Sequence, residues 1–252
     1  SRVHSSCSVA VGAGTKVKTI ILCGGKGTRL GPLGERIPKT LLPLGGKSCL
    51  QHIVENYVGK GYREFVLCIG HRGEMIIDFC KHHFHGASLE WSNAGEEASI
   101  LERLHRARNL FEQRAWITYG DTLINADLDN MLLQHNSSGA ALSLSTAFVQ
   151  SPFGLVETDD NEWLMSFREK PEQPFFVGHM LMERSVLDSV DDKLLRAPDG
   201  EGLVKLIQDL IQLRQVRTHT ITGPQITFNT REDLDRAEVD MTEFFTQTEG
   251  KA

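Results

Sequence analysis

The residues best suited to chemistry lie in Leu22-Cys23-Gly24-Gly25-Lys26-Gly27-Thr28-Arg29-Leu30, closed by Pro38-Lys39. Glycines let backbone amides approach a ligand without interference from a Cβ atom. Successive N–H groups in such a turn form a concave nest that favours anions. Arg29 adds a planar fork of donors suited to bidentate phosphate contact, and Lys39 a compact point charge. Together they make a phosphate site. It is not a Walker A loop, because no Gly-Lys-Ser/Thr closes it. It is not the dinucleotide fingerprint either, since Gly25-Lys26-Gly27-Thr28-Arg29-Leu30 carries an arginine and lacks the third glycine.

Oxygen ligands come from elsewhere. Asp121 follows the apolar run Ala115–Tyr119 and Gly120, where an open α/β sheet presents its binding edge. The plainer reading of Asp121 is a cap on a turn or on the next helix. Asn229 ends Ile226-Thr227-Phe228, and either it or Thr230 could be the N-cap of the helix that follows. An Asp–Asn oxygen pair suits Mg²⁺, which keeps waters and leans on substrate phosphates. Glu169-Lys170-Pro171 follows a short strand, and Gly154 could admit a sugar ring or simply make a turn. His82-His83-x-His85 reads as a solvated helix C-terminus rather than a metal site. No Ser/His/Asp or Cys/His set emerges.

The elements that must hold these residues alternate. Strands are expected at Lys16–Leu22, Phe65–Gly70, Ala87–Ser92, Ala115–Tyr119 and 140–148, with helices at 49–60, 73–84, 98–110 and 128–136 between them. Ser48 is placed to cap the first of these helices. This rhythm predicts an α/β fold with a doubly wound, mostly parallel sheet. After residue 150 shorter strands are expected at Phe153–Glu157, Trp163–Arg168 and Phe175–Met182. Helices at 184–190 and 201–213, strands near 216–221 and 225–228, and a helix from 231 to 246 follow. The expectation is one domain over 16–246, with a nucleotide-binding half (16–150) and a small β-rich sugar-phosphate half (151–246). Residues 1–15, rich in Ser, Gly and Val, read as a flexible tail and not as a signal peptide.

The 252 residues are 40% hydrophobic and 24% charged, enough for one full α/β core. A net charge of −6 argues against nucleic acid as a partner and makes the cations around Gly24–Lys39 a local concentration. Five scattered cysteines without a CxxC pair point to a reducing cytoplasm. No apolar run approaches the length of a membrane span.

In order along the chain, G-x-G-T-R, Pro-Lys, Gly-Asp, Glu-Lys-Pro and an Asp or Asn before the last helix resemble the pattern of the sugar-1-phosphate nucleotidyltransferases (nucleotide-sugar pyrophosphorylases). The likeness covers about residues 17–240. It implies a Rossmann-like, GT-A-like nucleotidyltransferase fold and transfer of a nucleotidyl group to a sugar 1-phosphate with release of pyrophosphate. It implies nucleotide contacts at Gly24, Gly25, Lys26, Gly27, Thr28, Arg29 and Asp121, with Arg29 and Lys39 as the catalytic cations. It further implies Mg²⁺ at Asp121 and Asn229, and a sugar phosphate near Gly154, Glu169, Lys170 and Gly178. Within the family, Cys23–Leu30, Gly45-Gly46-Lys47, Thr118–Asp121, Asp127 and the basic pair Arg103/Arg106 most resemble the glucose-1-phosphate cytidylyltransferase branch, which favours CTP. That branch carries a Thr-rich Gly-Gly loop where this chain has Glu97–Glu102, so UTP, GTP or ATP, and a heptose or other phosphorylated acceptor, stay open. A subunit that binds nucleotide sugar with weakened catalysis is the other alternative. Such relatives are often homo-oligomers.

Overall fold

A computed structural model gives the fold of residues 17–249. The tail expected at 1–15, and Cys7 within it, lie outside the described residues. The elements in chain order are β1 (Lys18–Leu22), α1 (Pro32–Arg36), β2 (Pro43–Leu44), β3 (Lys47–Ser48), α2 (Cys49–Gly59), β4 (Glu64–Ile69), α3 (Gly73–His83), β5 (Ser88–Asn93), α4 (Ile100–Ala107), β6 (Arg114–Tyr119), β7 (Thr122–Ile124) and α5 (Leu128–Ser138). Then come β8 (Leu142–Gln150), β9 (Leu155–Thr158), β10 (Leu164–Arg168), β11 (Glu172–Glu183), α6 (Arg184–Asp188), α7 (Asp192–Leu195), α8 (Glu201–Gln212), β12 (Val216–Thr220), β13 (Gln225–Thr227) and α9 (Arg231–Glu249).

A seven-stranded sheet runs in the order β12-β8-β11-β6-β1-β4-β5. Strands β6, β1, β4 and β5 are mutually parallel, and β12 is parallel to β8. Only β11 runs against its neighbours, between β6 and β8. The sheet is therefore mostly parallel, as the strand–helix alternation predicts. β11 is longer than the sequence pattern indicates, with 12 residues where Phe175–Met182 was expected, and it sits inside the main sheet.

Both faces of the sheet are buried, which is why its strands read as continuous apolar runs. Ile21, Phe65, Leu67, Trp116 and Leu181 face a core closed by α2, α3, α5 and α9. Their neighbours Ile20, Val66, Ile117, Met180 and Met182 face a second core closed by α4, α6 and α8. The alternation is the period of a strand, with a helix layer on each side. Full burial of each such side chain stabilises by about 1.5–3 kcal/mol. This rigid sandwich fixes the positions of the carboxyl ends of β1, β4 and β6.

Helix starts follow local chemistry. Ser48 caps α2, its Oγ accepting from the Gln51 N–H at 3.1 Å. Ser99 and Glu102 form a capping box at the start of α4. Asp127 caps α5, accepting from the Asn130 N–H at 3.0 Å. Gly45-Gly46-Lys47 forms the β2–β3 turn, with Gly45 against Met241 of α9.

Candidate active site

Leu22, Cys68 and Tyr119 stand side by side in the register of β4, β1 and β6. The loops leaving these strand ends bound a cleft of about 530 Å³. Gly24 through Arg29, Lys39, Asp121 and Asn229 all line it. Segments far apart in sequence are thus brought to the binding edge of the sheet.

The glycine loop is shaped by close packing on one side and open space on the other. A Cβ at Gly24 would lie 2.0 Å from Nη1 of Arg103, and one at Gly70 2.5 Å from the same atom. The Gly24 carbonyl accepts from the His71 N–H at 3.2 Å. A Cβ at Gly25 would meet nothing within 4 Å. Gly27 takes the left-handed conformation, φ 63°, and leads into the short 3-10 turn Thr28–Leu30. Gly34 of α1 abuts this turn so closely that a Cβ there would lie 2.2 Å from the Gly27 carbonyl oxygen. Gly24 and Gly34 serve packing, Gly27 serves the turn, and Gly25 leaves the backbone open to the cleft.

Arg103 holds the loop from behind. Its side chain is buried, donating from Nη1 to the Ile69 carbonyl and from Nη2 to the Glu96 carbonyl, each at 3.0 Å. Burial lowers its pKa below the ordinary arginine value. The residues expected as a basic pair therefore separate: Arg103 packs under the loop, and Arg106 is exposed and lines a different pocket, with His105 and Arg108.

Lys39 is the hub of the site. Its ammonium pairs with Oδ2 of Asp121 and donates to Oδ1 of Asn229 at 2.9 Å. Asp121 Oδ1 also accepts from the Thr122 hydroxyl at 3.1 Å. The capping roles open to these residues fall to others. Asp127 caps α5, and the last helix starts with Thr230, whose Oγ1 accepts from the Asp233 N–H at 3.1 Å. The Asp233 carboxylate accepts from the N–H groups of Asn229 and Thr230 in return, which lowers its pKa. The Asn229 side chain is left to point at Lys39.

Two hard oxygens from Asp121 and Asn229 thus converge on one positive atom. That donor set fits Mg²⁺, which takes one or two protein oxygens and completes its shell from water and phosphate. Among the described residues no group of three or more His, Cys, Asp and Glu side chains forms a metal cluster.

The remaining cations differ in freedom. Lys26 pairs with Glu97 at the exposed rim, which lowers the Glu97 pKa. Arg29 is exposed in the cleft and makes no ion pair among the described residues. Ala98, Ile100 and Tyr119 also line the cleft. The Tyr119 hydroxyl is pushed up to about 12, by burial first and then by the Asp121 charge, so it stays a neutral donor. Asp199 also lines the cleft and accepts from the Ile100 N–H at 3.0 Å. Neither Asp199 nor the wall role of Tyr119 carries a sequence signal, since Pro198-Asp199-Gly200 reads as an ordinary turn. Cys23 lies in the wall, but burial raises its thiol well above the usual range, so it is no nucleophile.

The residues expected at the sugar phosphate lie outside this lining. Gly178, φ 71°, packs against Thr122 and the Tyr119 ring, next to the cleft wall. Gly154 lies under the Phe167 ring and near the Glu169 carboxylate, where a Cβ would meet them at 2.9 and 3.5 Å. Glu169 and Lys170 are exposed in the segment between β10 and β11, with Lys170 at φ 41°.

Residues 18–189 match the family profile described as nucleotidyl transferase. A Bacillus subtilis protein named "Probable glucose-1-phosphate cytidylyltransferase" is 29% identical over 217 residues, 77% of this chain and 85% of that protein. The D-glycero-alpha-D-manno-heptose 1-phosphate guanylyltransferase of Campylobacter jejuni is 30% identical over 154 residues, 61% of this chain and 69% of that protein. The crystal structure of HddC from Yersinia pseudotuberculosis superposes with a TM-score of 0.66 at 19% identity, covering 89% of this chain and 99% of that one, which establishes a shared fold. The profile match takes in the glycine loop, Lys39 and Asp121, the same residues that the sheet gathers in one cleft, and the chain belongs to the nucleotidyl transferase family.

Proposed function

We propose that this enzyme joins a sugar 1-phosphate to a nucleoside triphosphate, with CTP the favoured nucleotide, giving a nucleoside diphosphate sugar and pyrophosphate. One observation carries the reading. Lys39 spans Asp121 and Asn229 in the same cleft as the open Gly25 backbone and Arg29, which makes no ion pair among the described residues. A phosphate oxygen of the sugar 1-phosphate attacks the α-phosphorus, a new P–O bond forms, and pyrophosphate departs with the bonding electrons. The nucleophile is already an anion, so no general base is required. The barrier is electrostatic, since two like unit charges at 4 Å repel by about 4 kcal/mol at an effective dielectric of 20. Catalysis then rests on positioning and on positive charge.

In this reading the amides of Gly24–Thr28 cradle the phosphates, with Lys26 at their rim. Arg29 holds the triphosphate in two-point contact, and Lys39 neutralises the attacking phosphate. Bound Mg²⁺, held by Asp121 and Asn229, would supply further charge neutralisation at the phosphates. Glu169 and Lys170, with Gly154 and Gly178, would receive the sugar phosphate, so residues 16–150 serve chiefly the nucleotide and 151–246 chiefly the acceptor. Support for CTP comes from the likeness of Cys23–Leu30 and Thr118–Asp121 to the cytidylyltransferase branch. The names of the relatives span cytidylyl and guanylyl transfer to glucose and heptose phosphates. The buried thiols at positions 23, 49, 68 and 80, free among the described residues, agree with a reducing cytoplasm. No helix of the described residues is long and apolar enough to cross a membrane.

Pyrophosphate release, measured with each of four triphosphates against a panel of sugar 1-phosphates, tests the proposal. Turnover with CTP ahead of the others supports it in full. Turnover with another triphosphate alone would overturn the base assignment, and triphosphate binding without release in any combination would overturn the transfer reading.

A further inference from the structure

The carboxylates of Glu96, Glu97, Asp121 and Asp199 all line the cleft. Three of them face a basic side chain. Asp121 pairs with Lys39, Glu97 pairs with Lys26, and Glu96 lies 3.6 Å from Nδ1 of His71. Asp199 is exposed and makes no ion pair among the described residues. The one hydrogen bond of its side chain among them comes from the Ile100 N–H to Oδ1, which leaves Oδ2 free. The turn that carries it is closed. The Glu201 N–H donates to the Pro198 carbonyl at 3.0 Å, Gly200 takes φ 87°, and α8 begins at Glu201. A carboxylate anchored at one oxygen on such a turn is preorganised to receive a ligand at the other.

We infer that Asp199 is a specificity-determining residue for the sugar, its free oxygen accepting hydrogen bonds from ring hydroxyls of the sugar 1-phosphate; this rests on the transfer reading above. Charge says what this carboxylate does not meet. A phosphate would be repelled by it, so it faces a part of the two substrates that carries none. Neutral hydroxyls suit it, because a carboxylate has several acceptor sites and binds donors more strongly than a neutral oxygen does. Its place in the fold selects the sugar over the base. Burial first, then the charges of Asp121 and Asp199, keep the Tyr119 hydroxyl protonated, so Tyr119 lies within electrostatic reach of both carboxylates. The Tyr119 ring packs against Gly178, and edge-on to Phe176 with centroids 6.1 Å apart, both in β11. β11 lies beside β6 on the side away from β1 and its glycine loop, and it starts just after Glu169-Lys170. Glu96–Ala98, by contrast, leave β5 at the other edge of the sheet, beyond β4. Ile100 and Tyr119 supply the apolar lining that a sugar ring needs beside a few fixed polar groups. The sugar this site takes is then a neutral aldose 1-phosphate with free neighbouring hydroxyls.

Pyrophosphate release and calorimetric binding test this in the full chain and in Asp199→Asn and Asp199→Ala. The probes are glucose 1-phosphate, mannose 1-phosphate and their monodeoxy analogues. Asparagine keeps an oxygen for the Ile100 N–H, so the thermal midpoint of Asp199→Asn should match that of the parent. The KM for sugar phosphate should rise about tenfold in Asp199→Asn and further in Asp199→Ala, while the KM for CTP stays within about twofold. At least one monodeoxy analogue should bind the parent about tenfold more weakly than the intact sugar, and both variants should shrink that penalty. A merely structural Asp199 would leave the penalty as it is. Sugar affinity unchanged in both variants, or a deoxy penalty that both leave intact, overturns the inference. A loss confined to the triphosphate assigns Asp199 to the nucleotide and overturns it as well, as does a parent that binds none of these sugar phosphates. Binding is read apart from turnover. A parent that binds sugar phosphate with this penalty yet releases no pyrophosphate upholds the contact and overturns the transfer reading.

Discussion

Lys39 and Asp121, 82 residues apart in the chain, form a half-buried ion pair in the cleft, and the same ammonium reaches Asn229 at 2.9 Å. One cation therefore holds together the turn after Pro38, the end of β6 and the start of the last helix. The contact keeps two oxygen donors pointed at a common centre. In the proposed reaction it also keeps Lys39 where an incoming phosphate would meet it.

Replacing either partner should abolish most of the activity. Asp121→Asn and Lys39→Met are each expected to lower kcat for pyrophosphate release by about 10²-fold or more, the usual loss when a preorganised charge is removed from a reacting site. Rates within tenfold of the parent in both variants would remove the pair from the chemistry.

Arg29→Ala separates charge from fold. The side chain is exposed and makes no ion pair among the described residues, so unfolding free energy should change by no more than about 0.5 kcal/mol. Turnover should fall by about two orders of magnitude, and Arg29→Lys should restore only part of it, because a lysine cannot reproduce a bidentate contact. Urea denaturation alongside the rate assay checks both halves. A large loss of stability would show that Arg29 serves the fold.

The two adjacent glycines should respond in opposite ways. Gly24→Ala drives a methyl into the Arg103 guanidinium, 2.0 Å away and fixed by two carbonyls, so the protein should be destabilised by about 1–3 kcal/mol. Gly25→Ala meets nothing in the protein. Its thermal midpoint should hold while the KM for triphosphate rises several-fold, because the methyl occupies the side from which phosphate approaches. An unchanged KM in Gly25→Ala would mean that the nucleotide does not touch this loop.

The interior sets a pH limit. His179 is fully buried in β11, stacked on Trp116, with Nδ1 2.7 Å from the Ser145 hydroxyl. Burial, with the Lys60 and His219 charges nearby, holds its pKa at about 3. In the unfolded chain it would titrate near 6.5. Unfolding then takes up a proton below about pH 6.5, and stability present in full above that pH is lost as the pH falls toward 3, by up to about 1.4 kcal/mol per pH unit. Urea midpoints between pH 7 and 5 should fall more steeply in the parent than in His179→Asn. Equal slopes would contradict a neutral buried imidazole.

Local chemistry made part of this site legible in advance. Gly24–Arg29 follows an apolar strand, so the turn that closes it can be read from neighbours in sequence. Asn229 could not be resolved that way. Thr230 is equally able to cap the last helix, and only the Thr230–Asp233 exchange frees the asparagine for Lys39. Arg103 has the same limit, since an arginine on an amphipathic helix reads as solvated until the two glycines packed against it are known. The length of β11 was hidden by Pro174 and Gly178, which interrupt the strand pattern while the ladder with β8 spans both, irregular near Gly178. Short strands were expected at Phe153–Glu157 and Trp163–Arg168, but not their pairing apart from the main sheet.

In the proposed reaction one cleft gathers two polyanions with Arg29, Lys39 and a divalent ion. Crystals grown with a non-hydrolysable CTP analogue and Mn²⁺ in place of Mg²⁺ test it most directly, through the anomalous signal of the metal. The expected result is a metal peak ligated by both Asp121 and Asn229, the triphosphate against Gly24–Arg29, and the Lys39 ammonium moved off the two oxygens onto phosphate. A triphosphate bound away from the loop, or a metal that touches neither Asp121 nor Asn229, would contradict it.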